Sequence, residues 1–174
     1  MRPLPDTADG SVHDQDGKAV LRFERVLPHP VGRVWAALTD PAEMLLWWGC
    51  ADELDLVEGG RFAFHWLNHG DNGERYAMHG RVTRLDPPRL LEFDTNLHGV
   101  LRFELRPDGD GTRLVFTSTL ADCSADDLPL MLAGWHMHLD FLAAAGLGDQ
   151  EVDLVHLPLD QWTRWRDQYA ARLS

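Results

Sequence analysis

The chain has 174 residues, of which 44% are hydrophobic, and this length and composition suit one domain with a single packed core. The formal net charge is −12, and no cluster of Lys and Arg supplies the positive surface that nucleic acids or anionic membranes attract. No run of about 20 apolar residues predicts a membrane span, and the polar N-terminus lacks the apolar core of a signal peptide. We therefore expect a soluble cytoplasmic protein that binds neither nucleic acid nor membrane.

The first part of the chain predicts a tail, one strand and two short helices. Residues 1–18 are polar and punctuated by Gly and Pro, which predicts a flexible tail. Residues 19–27 alternate between apolar and polar side chains as in a strand, and residues 31–40 have apolar side chains at helical spacing. A second short helix is expected to begin at Pro41 and to end at Gly49.

The middle of the chain has the alternation of β-strands. Apolar residues recur at every second position, and short turn sequences such as "PDGDG" separate the runs. The predicted strands are residues 61–68, 75–85, 89–95, 99–106 and 112–120. Together with the first strand they give six or seven strands, and the short connections predict an antiparallel meander.

Two helices are expected to follow the strands. Residues 124–146 have one broad apolar stripe, which predicts a long helix. A second stripe, of Trp162, Trp165, Tyr169 and Leu173, predicts a tail helix that docks on the domain or on a second copy of the chain. A homodimer through this helix is therefore one expectation. The predicted domain boundaries are a tail at 1–18, one domain at 19–147 and a helical extension at 148–174.

The order of these elements predicts an α+β fold. A curved antiparallel sheet of six to seven strands wraps around the long C-terminal helix, and the two short helices follow the first strand. The helix has one apolar stripe and each strand has one apolar face, so both surfaces are buried when they pack together. A cavity remains wherever they do not close completely.

Several segments, in this order, resemble the START/Bet v 1-like (SRPBCC) superfamily. They are "PHPVGRVWAALTDPAEMLLWWG", "EGGRF", "HGRVTRLDPPRLLEF", "GTRLVFTSTL" and "GWHMHLDFL". The most similar branch is the bacterial one related to the activator of Hsp90 ATPase homologue, and the resemblance covers roughly residues 20–145. It implies a helix-grip fold with a hydrophobic cavity. It does not fix the function, because this scaffold hosts transport, cyclase, dehydratase and co-chaperone roles.

Two adjacent tryptophans, Trp47 and Trp48, end the second short helix. Neighbouring side chains on a helix point about 100° apart, so the two cannot face one core in the same way. The resemblance implies that one anchors the helix while the other borders the cavity mouth. Cys50 stands where the family commonly has proline, which leaves the following loop less restrained. Neither Cys50 nor Cys123 has metal-like spacing, and we expect two free thiols.

Strand parity and helical phase nominate the inner face of the fold as the lining of the cavity. With the tryptophan pair, the predicted ligand-binding residues are Trp47, Trp48, Phe62, Phe64, Trp66, Tyr76, Met78, Phe93, Phe103, Phe116, Trp135 and His138. Each of them is also an ordinary core residue, so a ligand site requires space that they leave unfilled. Tyr76 and His138 are the members that could place hydrogen bonds in an otherwise apolar pocket.

Motifs for catalysis or metal binding are missing from the sequence. It contains no HExxH, CxxC, GxSxG or phosphate-binding loop. His136 and His138 point about 200° apart on a helix, so they cannot share a metal ion. His65 and His79 fall on the outer face of their strands by parity. We therefore predict no catalytic residue, no metal and no cofactor.

Three functions are compatible with this reading. We favour non-catalytic binding of a small hydrophobic or aromatic molecule, because the inner face is rich in aromatic residues. A cyclase or aromatase acting on a polyketide-like substrate is the first alternative, and it requires an inward acid or base such as Tyr76 or His138. A co-chaperone of an Hsp90-type ATPase is the second, and it is disfavoured because only a short polar stretch precedes the domain.

Overall fold

The computed structural model describes residues 9–174, so residues 1–8 of the predicted tail lie outside the described residues. The strands are β1 Ser11–Gln15, β2 Lys18–Leu27, β3 Cys50–Leu54, β4 Arg61–His69, β5 Arg75–Asp86, β6 Leu90–Thr95, β7 Gly99–Asp108 and β8 Gly111–Leu120. The helices are α1 Val31–Thr39, α2 Pro41–Met44, α3 Leu128–Phe141, which continues as a π-helical turn over Leu142–Gly146, and α4 Leu159–Leu173.

All eight strands form one antiparallel sheet in the order β1-β2-β8-β7-β6-β5-β4-β3. β3 to β8 follow one another as the predicted meander, and β2 pairs with β8 at its far end. The predicted α+β helix-grip architecture is confirmed: a long helix packs on this sheet, with Trp135 of the helix 4.4 Å from Phe116 of β8, and a tail helix follows it. Within residues 9–174, no helix is long and apolar enough to span a membrane.

The sheet has eight strands where the sequence pattern predicts six or seven, because β1 and β3 add to the six whose ranges were predicted. Residues 11–15, expected in a flexible tail, pair with β2 through a tight turn. Asp16 and Gly17 both have positive φ, 54° and 80°, as a type I′ hairpin turn requires. Most side chains of β1 are exposed, so hydrophobic alternation could not reveal a strand held by its backbone hydrogen bonds.

The inner face of the sheet forms the core. β8 shows strict alternation, with Thr112, Leu114, Phe116, Ser118 and Leu120 all buried. Phe103 of β7 packs on Phe116 with ring centroids 4.9 Å apart, and Phe62 of β4 stacks on Phe93 of β6 at 4.2 Å. Burying side chains of this size contributes roughly 1.5–3 kcal/mol each, so the aromatic inner face accounts for much of the stability.

α3 is buried on two sides, since the sheet covers one face through ring contacts such as that of Phe116 with Trp135, and α4 covers the other. Its first helical residue is Leu128, later than the predicted start at residue 124. Residues 124–127 instead form a turn, in which the Asp127 amide donates to the Ser124 carbonyl oxygen (3.1 Å) and the Ser124 hydroxyl donates to the Asp127 carboxylate (2.7 Å).

Most of the tail stripe predicted to dock does so within the chain, whereas Leu173 at its end is exposed. Trp165 stacks on His136 of α3 at 3.7 Å, and Tyr169 is 2% exposed. The stripe therefore has a partner without a second subunit, and a homodimer stays a prediction.

Candidate ligand pocket

Trp47 anchors the two short helices to each other. Its side chain is fully buried, and its indole Nε1 donates a hydrogen bond to the carbonyl oxygen of Ala37, 2.9 Å away. In a continuous helix that carbonyl would accept from the amide four residues later, but that residue is Pro41, which has no N–H. The indole therefore satisfies a buried carbonyl that the break between α1 and α2 leaves without a helical partner.

Trp48 connects this end of the fold to the sheet and to α3. Its side chain is 1% exposed and stacks on Trp47, with centroids 5.4 Å apart. It also packs on Phe64 of β4 at 4.4 Å and on Trp135 of α3 at 5.6 Å. Trp48 lines a pocket between sheet and helix, whereas Trp47 does not. The two adjacent residues thus have different surroundings.

Two adjoining pockets lie between the sheet and the N-terminal half of α3. The outer pocket has a volume of about 570 Å³, and the inner pocket has a volume of about 210 Å³. They share Trp66, His98, Leu130, Met131, Gly134 and His138. The outer pocket is further lined by Asn68, Tyr76, Leu97, Leu120, Asp122, Cys123, Asp127, Met137, Leu157, Leu159 and Trp162. Trp48 and Trp135 complete the inner pocket. The combined space has the size of small-molecule sites.

His138 lines both pockets and is held in one orientation. Its Nδ1 lies 3.1 Å from the carbonyl oxygen of Trp47, which can only accept, so Nδ1 carries the proton and Nε2 keeps its lone pair. Burial lowers the pKa of His138 to about 4, and the Trp47 carbonyl only partly offsets this. At neutral pH the pocket therefore presents a neutral imidazole.

His98 is a pocket residue that strand parity and helical phase do not predict. It lies between β6 and β7, and its ring packs edge-on against Trp66 at 5.4 Å and Trp135 at 5.7 Å. Burial and, to a lesser degree, His138 lower the pKa of His98 to about 4. Two neutral imidazoles thus border an otherwise largely apolar space. A turn residue has no periodicity, so its direction could not be inferred.

The predicted ligand-binding residues fall into two groups. Those that line a pocket are Trp48, Trp66, Tyr76, Trp135 and His138. The remaining ones, Trp47, Phe62, Phe64, Met78, Phe93, Phe103 and Phe116, are buried in the core and line neither pocket. Residues of the second group fill the middle of the grip with ring contacts such as that of Phe62 with Phe93. The two pockets lie together at one end of the grip, which strand parity could not show.

The helix wall of the pocket carries a signal that was available in the sequence. Leu130, Met131, Gly134, Met137 and His138 recur at three- and four-residue steps, a second stripe beside the one that faces the core. The wall formed by Leu157, Leu159 and Trp162 has no such signal, because it depends on how the tail folds back.

The family model for activator of Hsp90 ATPase homolog 1-like protein (AHSA1) matches residues 28–146. The chain belongs to this family. Its matched segment spans α1 to the π-helical turn and includes every predicted ligand-binding residue. Among curated proteins, no relative is detectable from the sequence.

Solved structures share this AHSA1-like fold over most of the chain. CalU16 from Micromonospora echinospora is 24% identical, with a TM-score of 0.70 over 94% of this chain and 95% of its own. A Bordetella parapertussis protein encoded by gene BPP1335 is 28% identical, with a TM-score of 0.68 over 98% of this chain and 95% of its own. Protein CV1439 from Chromobacterium violaceum is 25% identical, with a TM-score of 0.64 over 72% of this chain and 95% of its own.

On the other face of α3, this AHSA1-like chain has a cluster of buried polar residues. Tyr169 Oη accepts from the Gly10 amide at 2.7 Å and lies 2.7 Å from His136 Nδ1. His136 Nε2 and Arg25 Nη2 each lie 3.6 Å from a carboxylate oxygen of Asp140. Burial, and then Arg25, lowers the pKa of His136 to about 3, while burial raises the pKa of Asp140 to about 6. The cluster ties α4 and the start of β1 to α3.

Proposed function

We propose that the protein binds a small hydrophobic or aromatic molecule in the two pockets between the sheet and α3. The observation that carries this proposal is unfilled, largely apolar space beside Trp48 and Trp135, in a fold whose core is otherwise closely packed. Apolar pockets with a few convergent polar groups are typical of small-molecule sites.

The polar groups of the pockets favour a neutral ligand. His98 and His138 are uncharged at neutral pH, and among residues 9–174 no Lys or Arg lines either pocket. Asp122 and Asp127, at the rim of the outer pocket, make an anionic ligand less favourable. The favoured ligand is therefore an uncharged ring compound that uses the imidazoles or Tyr76 for orientation.

A glycine in the helix wall offers a direct test. Gly134 lines both pockets, and a Cβ at this position would meet only the Trp162 Nε1 atom, at 4.0 Å. Gly134→Leu should therefore fill the pockets without disturbing the backbone. We expect it to weaken binding of the uncharged probe N-phenyl-1-naphthylamine, followed by fluorescence, at least about tenfold, which corresponds to about 1.4 kcal/mol.

The matched control is Gly32→Leu in α1. Gly32 is also helical but is exposed, and a Cβ there has open space around it. The control should bind the probe as the wild type does. Equal binding by the wild type and Gly134→Leu, or no binding by the wild type, would contradict the proposal. As a separate measurement, native and denatured mass spectra of freshly purified protein would identify any co-purified ligand.

A cyclase or aromatase is the second candidate, and the orientation of His138 favours it. The Trp47 carbonyl fixes the imidazole so that Nε2 can accept a proton from a bound substrate. The pKa of His138, about 4, makes it a weak base, so we favour ligand binding over catalysis as the function. A model aryl poly-β-ketone should cyclise faster with wild type than with His138→Gln if this alternative holds, whereas equal rates would exclude a role for His138.

A further inference from the structure

We propose that Cys50, Asp52 and His65 form a Zn²⁺ site on the outer face of the sheet, where β3 pairs with β4. One potential ligand atom from each residue lies within 4.8 Å of the other two. This group shares no residue with the pockets, so it concerns a second site. The sequence contains no metal-ligand motif, and on that ground no metal was predicted. Such a motif would not reveal these three residues, because they come from two strands that pair in the fold.

Strand pairing brings the three side chains to one place. Cys50 and His65 are direct cross-strand partners, so their side chains lie on the same face, opposite to buried Phe64. Asp52 is the extra residue of a β-bulge, since the pairing of β3 with β4 shifts by one between Ala51 and Glu53. A bulge changes the direction of a side chain, and here the carboxylate lies beside both partners.

One distance already suits a bound ion, and one contact would have to open to admit it. Cys50 Sγ lies 3.7 Å from Asp52 Oδ1, close to the separation of neighbouring ligands around a tetrahedral Zn²⁺. His65 Nδ1 lies 2.6 Å from Asp52 Oδ2, a hydrogen bond whose shared proton the cation would replace. Sulfur, imidazole nitrogen and carboxylate oxygen are the three protein ligand types of Zn²⁺, and three ligands leave a fourth position for water.

A nucleophilic cysteine is the competing explanation for this group. Burial and the neighbouring Asp52 raise the pKa of the Cys50 thiol, with Arg75 acting weakly in the other direction. A reactive cysteine requires a lowered pKa, so the surroundings oppose nucleophilic chemistry. A divalent cation benefits from the same carboxylate that disfavours the free thiolate.

The position of the site determines what a bound ion would do. β3 is an edge strand and directly follows the tryptophan pair. The backbone at Gly49 lies close to β4, because a Cβ there would come within 2.7 Å of the His65 carbonyl oxygen. Zn²⁺ would join the edge strand to β4 and hold the segment that carries Trp48 against the sheet.

The test uses untagged, reduced full-length protein and Cd²⁺ as a spectroscopic substitute for Zn²⁺. We expect one equivalent of Cd²⁺ to produce an ultraviolet thiolate-to-metal charge-transfer band. This band should be lost in Cys50→Ser and retained in Cys123→Ser, the control at the second free cysteine. Zn²⁺ should compete the band away. It should also raise the melting temperature of the wild type, but not of Cys50→Ser or His65→Gln.

Circular dichroism of the metal-free variants verifies that each is folded, so a lost band reports lost metal binding and not unfolding. The proposal is overturned if the wild type gives no thiolate band, if the band persists in Cys50→Ser, or if Cys123→Ser loses it. It is also overturned if His65→Gln retains the full thermal shift, since the remaining two residues would then suffice. Probe binding in the pocket is a separate measurement, so each site can fail alone.

Discussion

Adjacent, equally buried residues can have different roles, and Trp47 and Trp48 illustrate this at the scale of single side chains. Trp47 has a hydrogen-bonded indole, whereas the Nε1 atom of buried Trp48 finds no partner among the described residues. The break at Pro41 explains the first arrangement, since it leaves the Ala37 carbonyl in need of a donor. The second indole contributes ring packing and a pocket wall.

Trp47→Phe and Trp48→Phe should therefore differ in cost. Each substitution replaces a buried indole by the smaller phenyl ring and removes one N–H group. Only Trp47→Phe leaves a buried carbonyl, that of Ala37, without its hydrogen-bond donor. We expect Trp47→Phe to lower the free energy of unfolding by about 1–3 kcal/mol more than Trp48→Phe does. Urea unfolding of both variants measures this difference, and equal values would show that the Ala37 bond is not needed.

At the scale of elements, α3 holds the molecule together because it is covered on both sides. The sheet packs on one face, where Phe116 meets Trp135, and α4 packs on the other through the cluster around Tyr169. The hydroxyl of Tyr169 contacts the Gly10 amide and His136, so it links the start of β1, α3 and α4.

Tyr169→Phe removes this link and little else. The partly buried Gly10 amide and the buried His136 would each lose a partner, and we expect a loss of about 1–3 kcal/mol in unfolding free energy. Tyr76, the other tyrosine of the chain, is the control because its side chain is 48% exposed. Tyr76→Phe should be close to neutral. If both variants unfold at the same urea concentration, the hydroxyl does not stabilise the docking of α4.

The elements show where sequence reasoning succeeds and where it stops. Period-two alternation located the strands with one buried face, such as β4 and β8, because burial enforces it. It missed β1, whose side chains are mostly exposed, although the Asp16–Gly17 pair is a hairpin signal. The pocket was only partly predictable, since the inner face was identified but the unfilled end depends on how the rings pack.

At the scale of the whole molecule, the buried histidines should make stability depend on pH. Burial lowers the pKa of His98 and His138 to about 4 and that of His136 to about 3. The unfolded chain, with histidine pKa values of about 6.5, binds more protons between these limits. Stability contributed by the three groups is therefore complete above about pH 6.5 and is lost as pH falls toward 4.

Asp140 opposes this trend over part of the range. Its pKa is raised to about 6, so the folded state binds the extra proton and gains stability as pH falls through that value. Three histidines outweigh one carboxyl, and we expect a net loss of unfolding free energy from about pH 6.5 to about pH 4. Urea denaturation at a series of pH values measures it.

A pair of variants assigns the pH effect. His138→Gln should reduce the slope by up to about 1.4 kcal/mol per pH unit, because one buried imidazole no longer titrates. His156→Gln is the control, since the His156 side chain is 84% exposed. An unchanged slope in His138→Gln would mean that the buried ring does not carry the effect.

The wall of the outer pocket has two origins along the chain. The sheet residues of this wall and α3 belong to the segment that matches the family, residues 28–146, whereas Leu157, Leu159 and Trp162 lie beyond it. Substitutions in this tail can reshape the pocket entrance while the sheet and its aromatic core keep their sequence. The tail and the scaffold can therefore diverge separately, and under the proposed function relatives with the same fold but different tails need not share a ligand.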